Sequence, residues 1–166
     1  DRVCLWFVEA VVKAADRHEV DVWAYVLMPE HVHLLVWPRR PEYSISTVLK
    51  AVKQSVARKA IDWLRRENQE GLRQLATGWS RPAYSLWMDG GGYDRNIHDR
   101  DALRTAMEYV HANPVRRGLV ERPGDWPWSS WAAWHAGLTG PIPVAKESCR
   151  LALRASTSAL SEYWSR

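Results

Sequence analysis

The chain has 166 residues, of which 46% are hydrophobic and 25% are charged. A chain of this length can bury one ordinary core and is too short for two typical domains. Its net charge is +4, and its two cysteines, Cys4 and Cys149, lie far apart and in no C-x-x-C motif, which argues against a disulfide framework and a thiolate zinc site. No apolar run approaches the roughly 18 residues of a membrane span, and no leader-like segment opens the sequence. We therefore expect one soluble, cytoplasmic domain, residues 1–166, without a membrane partner.

The first part of the sequence predicts a helix followed by a hairpin of two strands. Apolar residues recur with helical period over VCLWFVEAVVKAADRH, residues 3–18. Residues 20–28 and 31–38 are then rich in β-branched and aromatic side chains, as strands are, and the short PE between them suits a hairpin connection.

A long helix is predicted next, capped by Ser44 or Ser46 and running to about Arg66. The polar segment ENQEGLRQLATG predicts a helix end followed by a loop. After it, AYSLWM (83–88) predicts a short strand and DGGGYD a flexible turn, because its glycines lack the spacing of a phosphate-binding loop.

The last part of the chain predicts two more helices. Asp99 or Asp101 can begin the first, and Pro114 should end it at or before Asn113, because the residue before a proline is pushed out of helical geometry. The segment SCRLALRASTSALSEYW predicts the final helix.

Helices that alternate with three short, mostly sequential strands predict an α+β fold, a sheet with helices packed on one face. Such a sheet needs one more strand ahead of the first helix. We therefore expect that the first strand of the domain is missing from this sequence.

Two histidines, His31 and His33, stand two residues apart in an otherwise apolar strand. Side chains repeat with a period of two along a strand, so both imidazoles point to the same face and can converge on one divalent ion with open coordination positions. The alternative is a pair of histidines hydrogen-bonded in a core, since the H-x-H pattern is short and common.

A second group of polar side chains occurs in EYVHANPVRRGLV. Tyr109 and Asn113 are four residues apart and share one face of the predicted helix, whereas His111 projects to the opposite side. A phenol beside a carboxamide could supply a nucleophile and a metal ligand. Tyrosine has an ordinary pKa of about 10, so a neighbouring cation or a metal-polarised phosphate must assist it. Taken alone, Tyr109 is simply a helix tyrosine.

The motifs MPEHVHLL, SLWMDGGGYDRNI, YVHANPVRRGLV and DWPWSSW, in this order, resemble those of the REP-associated tyrosine transposases. These proteins are a branch of the IS200-like, single-tyrosine HUH transposases. The resemblance extends from about Val22 to Trp131. It implies a ferredoxin-like (RRM-like) antiparallel sheet, with the two histidines on a central strand and the tyrosine on a helix that faces it.

The resemblance also implies a chemistry. His31, His33 and Asn113 would hold Mg²⁺ or Mn²⁺, and Tyr109 would attack a phosphate of single-stranded DNA, forming a 5′-phosphotyrosine and a free 3′-hydroxyl. The expected partner is DNA next to a hairpin of the kind found in repetitive extragenic palindromes, bound by a monomer or homodimer associated with the nucleoid.

Basic residues occur in blocks, and local stripes of positive charge bind phosphate backbones. Solvated helix faces are the alternative explanation for any one block. The residues that we assign to DNA binding are Arg39, Arg40, Lys50, Lys53, Arg58, Arg116 and Arg117. Of these, we expect both arginine pairs to hold phosphates close to the site.

The chain departs from the family pattern at two positions. Glu30 stands where asparagine is usual and adds a carboxylate that could tune or contact the ion, and Met88 stands where glutamine is usual. Trp87 could stack on a base, although packing is the preferred interpretation. Two other functions stay open: a hairpin-binding protein that has lost turnover, and a hydrolase that uses metal-bound water and no tyrosine.

Overall fold

The computed structural model describes residues 1–78, 83–88 and 94–154. In these residues, two antiparallel strands, β1 (Val20–Leu27) and β2 (Val32–Pro38), form a sheet. The turn between them is closed by the Met28 N–H, which donates to the carbonyl of His31 at 2.9 Å. The predicted hairpin is therefore confirmed. All of β1 except its second residue is buried.

The segment that carries the DWPWSSW motif, residues 125–131, lies along the other edge of β1. The Leu27 N–H donates to the carbonyl of Trp128, and the Ser130 N–H donates to the carbonyl of Tyr25, both at 2.9 Å. These bonds surround a single antiparallel bridge at Ser129. Because β1 is hydrogen-bonded on both edges, it is the natural centre of this part of the molecule.

The architecture is α+β, as predicted, but one predicted strand is wrong. Segment 83–88 makes only an isolated bridge, between Ala76 and Tyr84. The described residues thus supply a two-stranded sheet and two isolated bridges, and the complete ferredoxin-like sheet stays a prediction. The turn predicted for DGGGYD lies, apart from Asp94, outside the described residues.

Six α-helices are found in the described residues. Two of the predicted helix starts are confirmed by their caps, since the Ser44 hydroxyl accepts from the Thr47 N–H at 3.3 Å and the Asp99 carboxylate accepts from the Ala102 N–H at 2.7 Å. The helices are α1 (Arg2–Arg17), α2 (Ile45–Glu67), α3 (Gln69–Gln74), α4 (Arg100–Arg116), α5 (Trp131–His135) and α6 (Lys146–Arg154), with a short 3₁₀ helix over Pro123–Asp125.

The predicted end of α4 is wrong, because the helix continues through Pro114 to Arg116. A proline this close to a helix end removes only one backbone hydrogen bond, and Pro114 is fully buried, so packing compensates for the loss. The last turn is closed normally, by the Arg117 N–H donating to the carbonyl of Asn113 at 3.1 Å.

Two other predicted segments remain to be compared with the structure, the one after α2 and the last helix. The segment expected to be a helix end and loop forms the separate helix α3, because the Asn68 side chain accepts from the Gly71 N–H at 2.9 Å and starts a new turn. Helix α6 confirms the start of the predicted last helix, and residues 155–166 lie outside the described part. None of the helices in the described ranges is both long and apolar enough to cross a bilayer.

The chain divides into two units, each discontinuous in sequence. Unit 1 comprises Asp1–Ala14 and Ser44–Asp94, and unit 2 comprises Ala15–Tyr43 and Arg95–Arg166. Within unit 1, an ion pair between Lys59 and Glu9 joins α2 to α1. The expected single domain over residues 1–166 stays a prediction.

The core of unit 2 holds α4 against the hairpin. Val110 of α4 packs on buried residues of β1, among them Ala24 and Val26. A second cluster joins Trp23 of β1 to Leu103 of α4 and Cys149 of α6. Since both clusters fix α4 relative to β1, the side chains on the free face of α4 have a defined position beside the hairpin.

The Ser130 hydroxyl links β1 to α4. Its Oγ accepts a hydrogen bond from the Tyr25 N–H at 2.9 Å and lies 2.8 Å from Nε2 of His111. Ser130 is completely buried and His111 is 5% exposed, so neither partner can turn to water instead. This network therefore helps to place the helix that carries Tyr109.

We expect Ser130→Ala to lower the free energy of unfolding by about 3 kcal/mol, because two buried polar groups lose a partner at a cost of about 1–3 kcal/mol each. Urea unfolding followed by tryptophan fluorescence measures the change. Thr105→Ala, at an exposed position in α4, is the control and should change stability by less than about 0.5 kcal/mol. Equal stability of Ser130→Ala and the parent would show that the network does not hold the helix.

Candidate active site

The two histidines of the hairpin lie side by side where the second strand begins. His33 is in β2, whereas His31 stands one residue ahead of the strand, in the turn. Their ring centroids are 4.9 Å apart in a T-shaped arrangement. The prediction that the two imidazoles face the same side is confirmed.

Helix α4 brings its polar stripe to these imidazoles. The ring of Tyr109 lies 5.3 Å from that of His33, centroid to centroid, and Oδ1 of Asn113 lies 3.3 Å from Nε2 of His31. Tyr109 is 45% exposed and Asn113 is 3% exposed. The phenol thus remains open to an incoming ligand, while the carboxamide is fixed at the floor of the same site.

His111 is on the opposite side of α4, as predicted. Burial, and secondly the nearby His135, lower the pKa of His111 to about 4. The imidazole is therefore neutral near pH 7, and its Nε2 is engaged with Ser130. Its role is structural.

The donors at the site suit a cation better than an anion. Burial lowers the pKa of His33 from its ordinary value, and the neighbouring His31 lowers it further. A neutral imidazole keeps a lone pair for a metal ion. With the amide oxygen of Asn113 beside His31, the three side chains offer two nitrogens and one oxygen, a set that a divalent ion accepts and that leaves further positions open.

Two arginines at the end of α4 lie at the site. The guanidinium carbon of Arg116 is 5.2 Å from the centroid of the Tyr109 ring, a cation–π distance. Arg117 forms an ion pair with Glu30, which holds the pKa of that carboxyl below its ordinary value. The other oxygen of Glu30 is 3.8 Å from Nδ1 of His31.

The expectation that both arginine pairs lie close to the site is correct only for Arg116 and Arg117. Arg39 follows the far end of β2, about 20 Å along the strand from His33 at roughly 3.3 Å per residue. There it forms an ion pair with Asp21 at 3.5 Å, and Arg40 forms one with Glu19. A role of this pair in DNA binding stays a prediction.

The remaining basic candidates, Lys50, Lys53 and Arg58, lie on α2 in unit 1. The ammonium of Lys53 is 5.5 Å from the ring centroid of Trp87, whose indole N–H donates to the Lys53 carbonyl at 2.8 Å. Trp87 is thus tied to α2 by its polar edge, as packing would require.

Sequence reasoning missed two contacts of the site: Arg116 with the Tyr109 ring, and Arg117 with Glu30. The first had a signal in the sequence, because Tyr109, Asn113 and Arg116 follow i, i+4 and i+7 spacing and so share one stripe of a helix. The second joins the hairpin turn to the end of α4, and no local pattern predicts such a contact.

These side chains define an α+β protein in which a histidine pair at a hairpin meets a tyrosine and an asparagine from a helix. The chain belongs to the family described as Transposase IS200 like, whose sequence profile matches residues 5–113. The matched span contains all four of these side chains.

Relatives and a solved structure agree with the family. The chain is 25% identical over 126 residues to a Haemophilus influenzae protein whose name assigns it to the REP-associated tyrosine transposases, covering 75% of this chain and 66% of the relative. It is 21% identical over 122 residues to the REP-associated tyrosine transposase of Escherichia coli, covering 74% and 61%. The chain thus spans slightly less than two thirds of the length of these relatives.

A solved REP-associated tyrosine transposase bound to a REP hairpin has a similar fold. The TM-score is 0.58 at 19% sequence identity, over 84% of this chain and 72% of that one. At this identity the likeness supports the fold.

Proposed function

We propose that this chain is the catalytic region of a divalent-metal-dependent transposase, which cleaves and rejoins single-stranded DNA next to a hairpin through a 5′-phosphotyrosine at Tyr109. The observation that carries the proposal is the contact between the Tyr109 and His33 rings, whose centroids are 5.3 Å apart. A nucleophile from a helix and metal donors from a hairpin thereby meet at one place.

In the proposed reaction the oxygen of Tyr109 attacks the scissile phosphorus, and the bond between that phosphorus and the 3′ oxygen breaks. The phenol proton passes to solvent, the phosphate stays on the tyrosine, and the departing 3′ oxygen takes a proton from solvent. Arg116, already beside the phenol ring, stabilises the negative charge on the attacking oxygen and on the phosphate. The covalent link conserves the phosphodiester energy, so that a second 3′-hydroxyl can reverse the step and rejoin the DNA.

The donor set fits a divalent ion held by His31, His33 and Asn113. Such an ion, when bound, acts as a Lewis acid on a non-bridging oxygen of the scissile phosphate. Two imidazoles fit Mn²⁺ more closely than Mg²⁺, because Mg²⁺ prefers oxygen ligands. Asn113, which is buried and lies 3.3 Å from His31, orients that imidazole.

The proposed partner is DNA that carries a hairpin. The solved transposase of similar fold is bound to a REP hairpin. In this chain, Arg116 and Arg117 lie beside the site and are the first candidates for phosphate contacts, which would make binding strongly salt-dependent. Lys50, Lys53 and Arg58 on α2, and Arg39 and Arg40 after β2, are the further candidates.

The test is incubation with a labelled oligonucleotide that carries a hairpin and a single-stranded flank, in the presence of Mn²⁺. We expect a labelled band that migrates more slowly than the free oligonucleotide on a denaturing gel, because the DNA is covalently attached to the protein. A scrambled stem of equal composition is the control. Binding without cleavage would indicate a hairpin-binding protein that has lost turnover, and cleavage without a covalent product would indicate a hydrolase.

A further inference from the structure

We propose that Glu30 is a positioning residue for the ion site: its carboxylate, 3.8 Å from Nδ1 of His31, closes to a hydrogen bond with the Nδ1–H when the ion binds and so directs the Nε2 lone pair of that imidazole to the ion. This inference rests on the function proposed above, because it concerns the ion expected there.

The imidazole of His31 lies between two oxygen-bearing side chains. Its Nδ1 is 3.8 Å from Oε2 of Glu30, and its Nε2 is 3.3 Å from Oδ1 of Asn113. An ion shared by Nε2 and the amide oxygen requires an unprotonated Nε2. A neutral imidazole then carries its proton on Nδ1, the nitrogen that faces Glu30.

The carboxylate acts on the imidazole and is not itself a third ligand. Within the described ranges, no three side chains of the His, Cys, Asp and Glu types converge closely enough to hold an ion. Glu30 therefore does not join His31 and His33 around a common point. Carboxylates that accept the second N–H of a metal-binding histidine fix its tautomer, and their loss costs about 10- to 100-fold in metal affinity.

Arg117 holds Glu30 in position for this role. The guanidinium pairs with Oε1, which leaves Oε2 on the side of His31. The pair joins the hairpin turn to the residue that follows α4, within unit 2. It also offsets the negative charge of Glu30, which would otherwise repel a phosphate that approaches the site.

The first measurement is isothermal titration of Mn²⁺ into the full chain without DNA. We expect Glu30→Ala to weaken Mn²⁺ binding about 10- to 100-fold and Glu30→Gln to weaken it less than about fivefold, because the amide oxygen can still accept the Nδ1–H. Glu42→Ala, at an exposed glutamate of the same unit, is the matched control and should bind Mn²⁺ as the parent does. Glu30 has a side chain that is 57% exposed, so its replacement should not disturb folding.

The second measurement is the ¹⁵N NMR spectrum of the imidazoles in metal-free protein at alkaline pH, because an ion bound to Nε2 would itself leave the proton on Nδ1 with or without Glu30. We expect His31 to carry its proton on Nδ1 in the parent and in Glu30→Gln, and to lose that preference in Glu30→Ala. Unchanged Mn²⁺ affinity in Glu30→Ala, or an equal loss in Glu30→Gln and Glu30→Ala, would overturn the inference. The second outcome would mean that only the charge of Glu30 matters.

Failure of this inference is separable from failure of the proposed function, because neither measurement uses DNA or turnover. If the parent forms the adduct and Glu30→Ala binds Mn²⁺ as tightly as the parent, only the proposed role of Glu30 is overturned. A parent that forms no adduct but needs Glu30 for Mn²⁺ binding would overturn the transposase proposal alone.

Discussion

Tyr109→Phe is expected to reduce formation of the protein–DNA adduct more than about 10³-fold, which corresponds to about 4 kcal/mol of transition-state stabilisation. The substitution removes the attacking oxygen and keeps the ring. The T-shaped contact with His33 and the approach of Arg116 should therefore persist, and the site should keep its shape. Denaturing gels with a labelled hairpin oligonucleotide and Mn²⁺ measure the adduct.

Hairpin binding by Tyr109→Phe should stay within about threefold of the parent, because a phenol hydroxyl adds at most a single hydrogen bond. Tyr43→Phe, at an exposed tyrosine of the same unit, is the matched control and should form the adduct normally. If Tyr109→Phe cleaves the oligonucleotide as fast as the parent, water is the nucleophile and the hydrolase interpretation is correct. If it forms the same adduct, another side chain is the nucleophile.

Local patterns were sufficient for the elements that position the site. Period-two alternation predicted both strands of the hairpin. Two candidate caps for each helix, Ser44 or Ser46 and Asp99 or Asp101, predicted where α2 and α4 begin to within two residues, because a cap acts on backbone groups two or three residues away. Helical spacing alone placed Tyr109 and Asn113 on one face. These predictions depend on geometry that neighbouring residues set among themselves.

The meeting of the hairpin and the helix could not be obtained in this way. No periodicity relates His33 to Tyr109, and their expected proximity came from resemblance to a family. Tertiary packing also overruled two local rules. A buried Pro114 remained inside α4, and segment 83–88 formed one bridge where strand-like residues predicted a strand.

The arginines after β2 illustrate the limit for charged residues. Sequence shows a basic pair, but the partners of Arg39 and Arg40 depend on which strand lies alongside. The register pairs Val20 with Pro38, which brings Glu19 and Asp21 next to these arginines. A basic block that follows a strand is therefore a weaker indication of DNA contact when the neighbouring strand carries acidic residues at the positions paired with it.

His33→Ala should reduce adduct formation more than about 10²-fold at low Mn²⁺ concentration, because it removes one of the proposed metal donors together with the ring that Tyr109 packs against. A titration of the initial rate against Mn²⁺ measures the effect. His98→Ala is the matched control, since this exposed histidine precedes the other end of α4, about 20 Å from Asn113 at 1.5 Å per residue.

The shape of this titration distinguishes two roles for His33. If the imidazole holds the ion, His31 and Asn113 remain as donors, so high Mn²⁺ should restore part of the rate, and the concentration for half-maximal rate should rise. If His33 only supports the Tyr109 ring, the maximal rate should fall with no change in that concentration. Adduct formation by the parent in excess EDTA would contradict both the requirement for a divalent ion and the proposed role of the histidines as its ligands. A tyrosine that attacks without a Lewis acid would leave the histidine pair without a catalytic role.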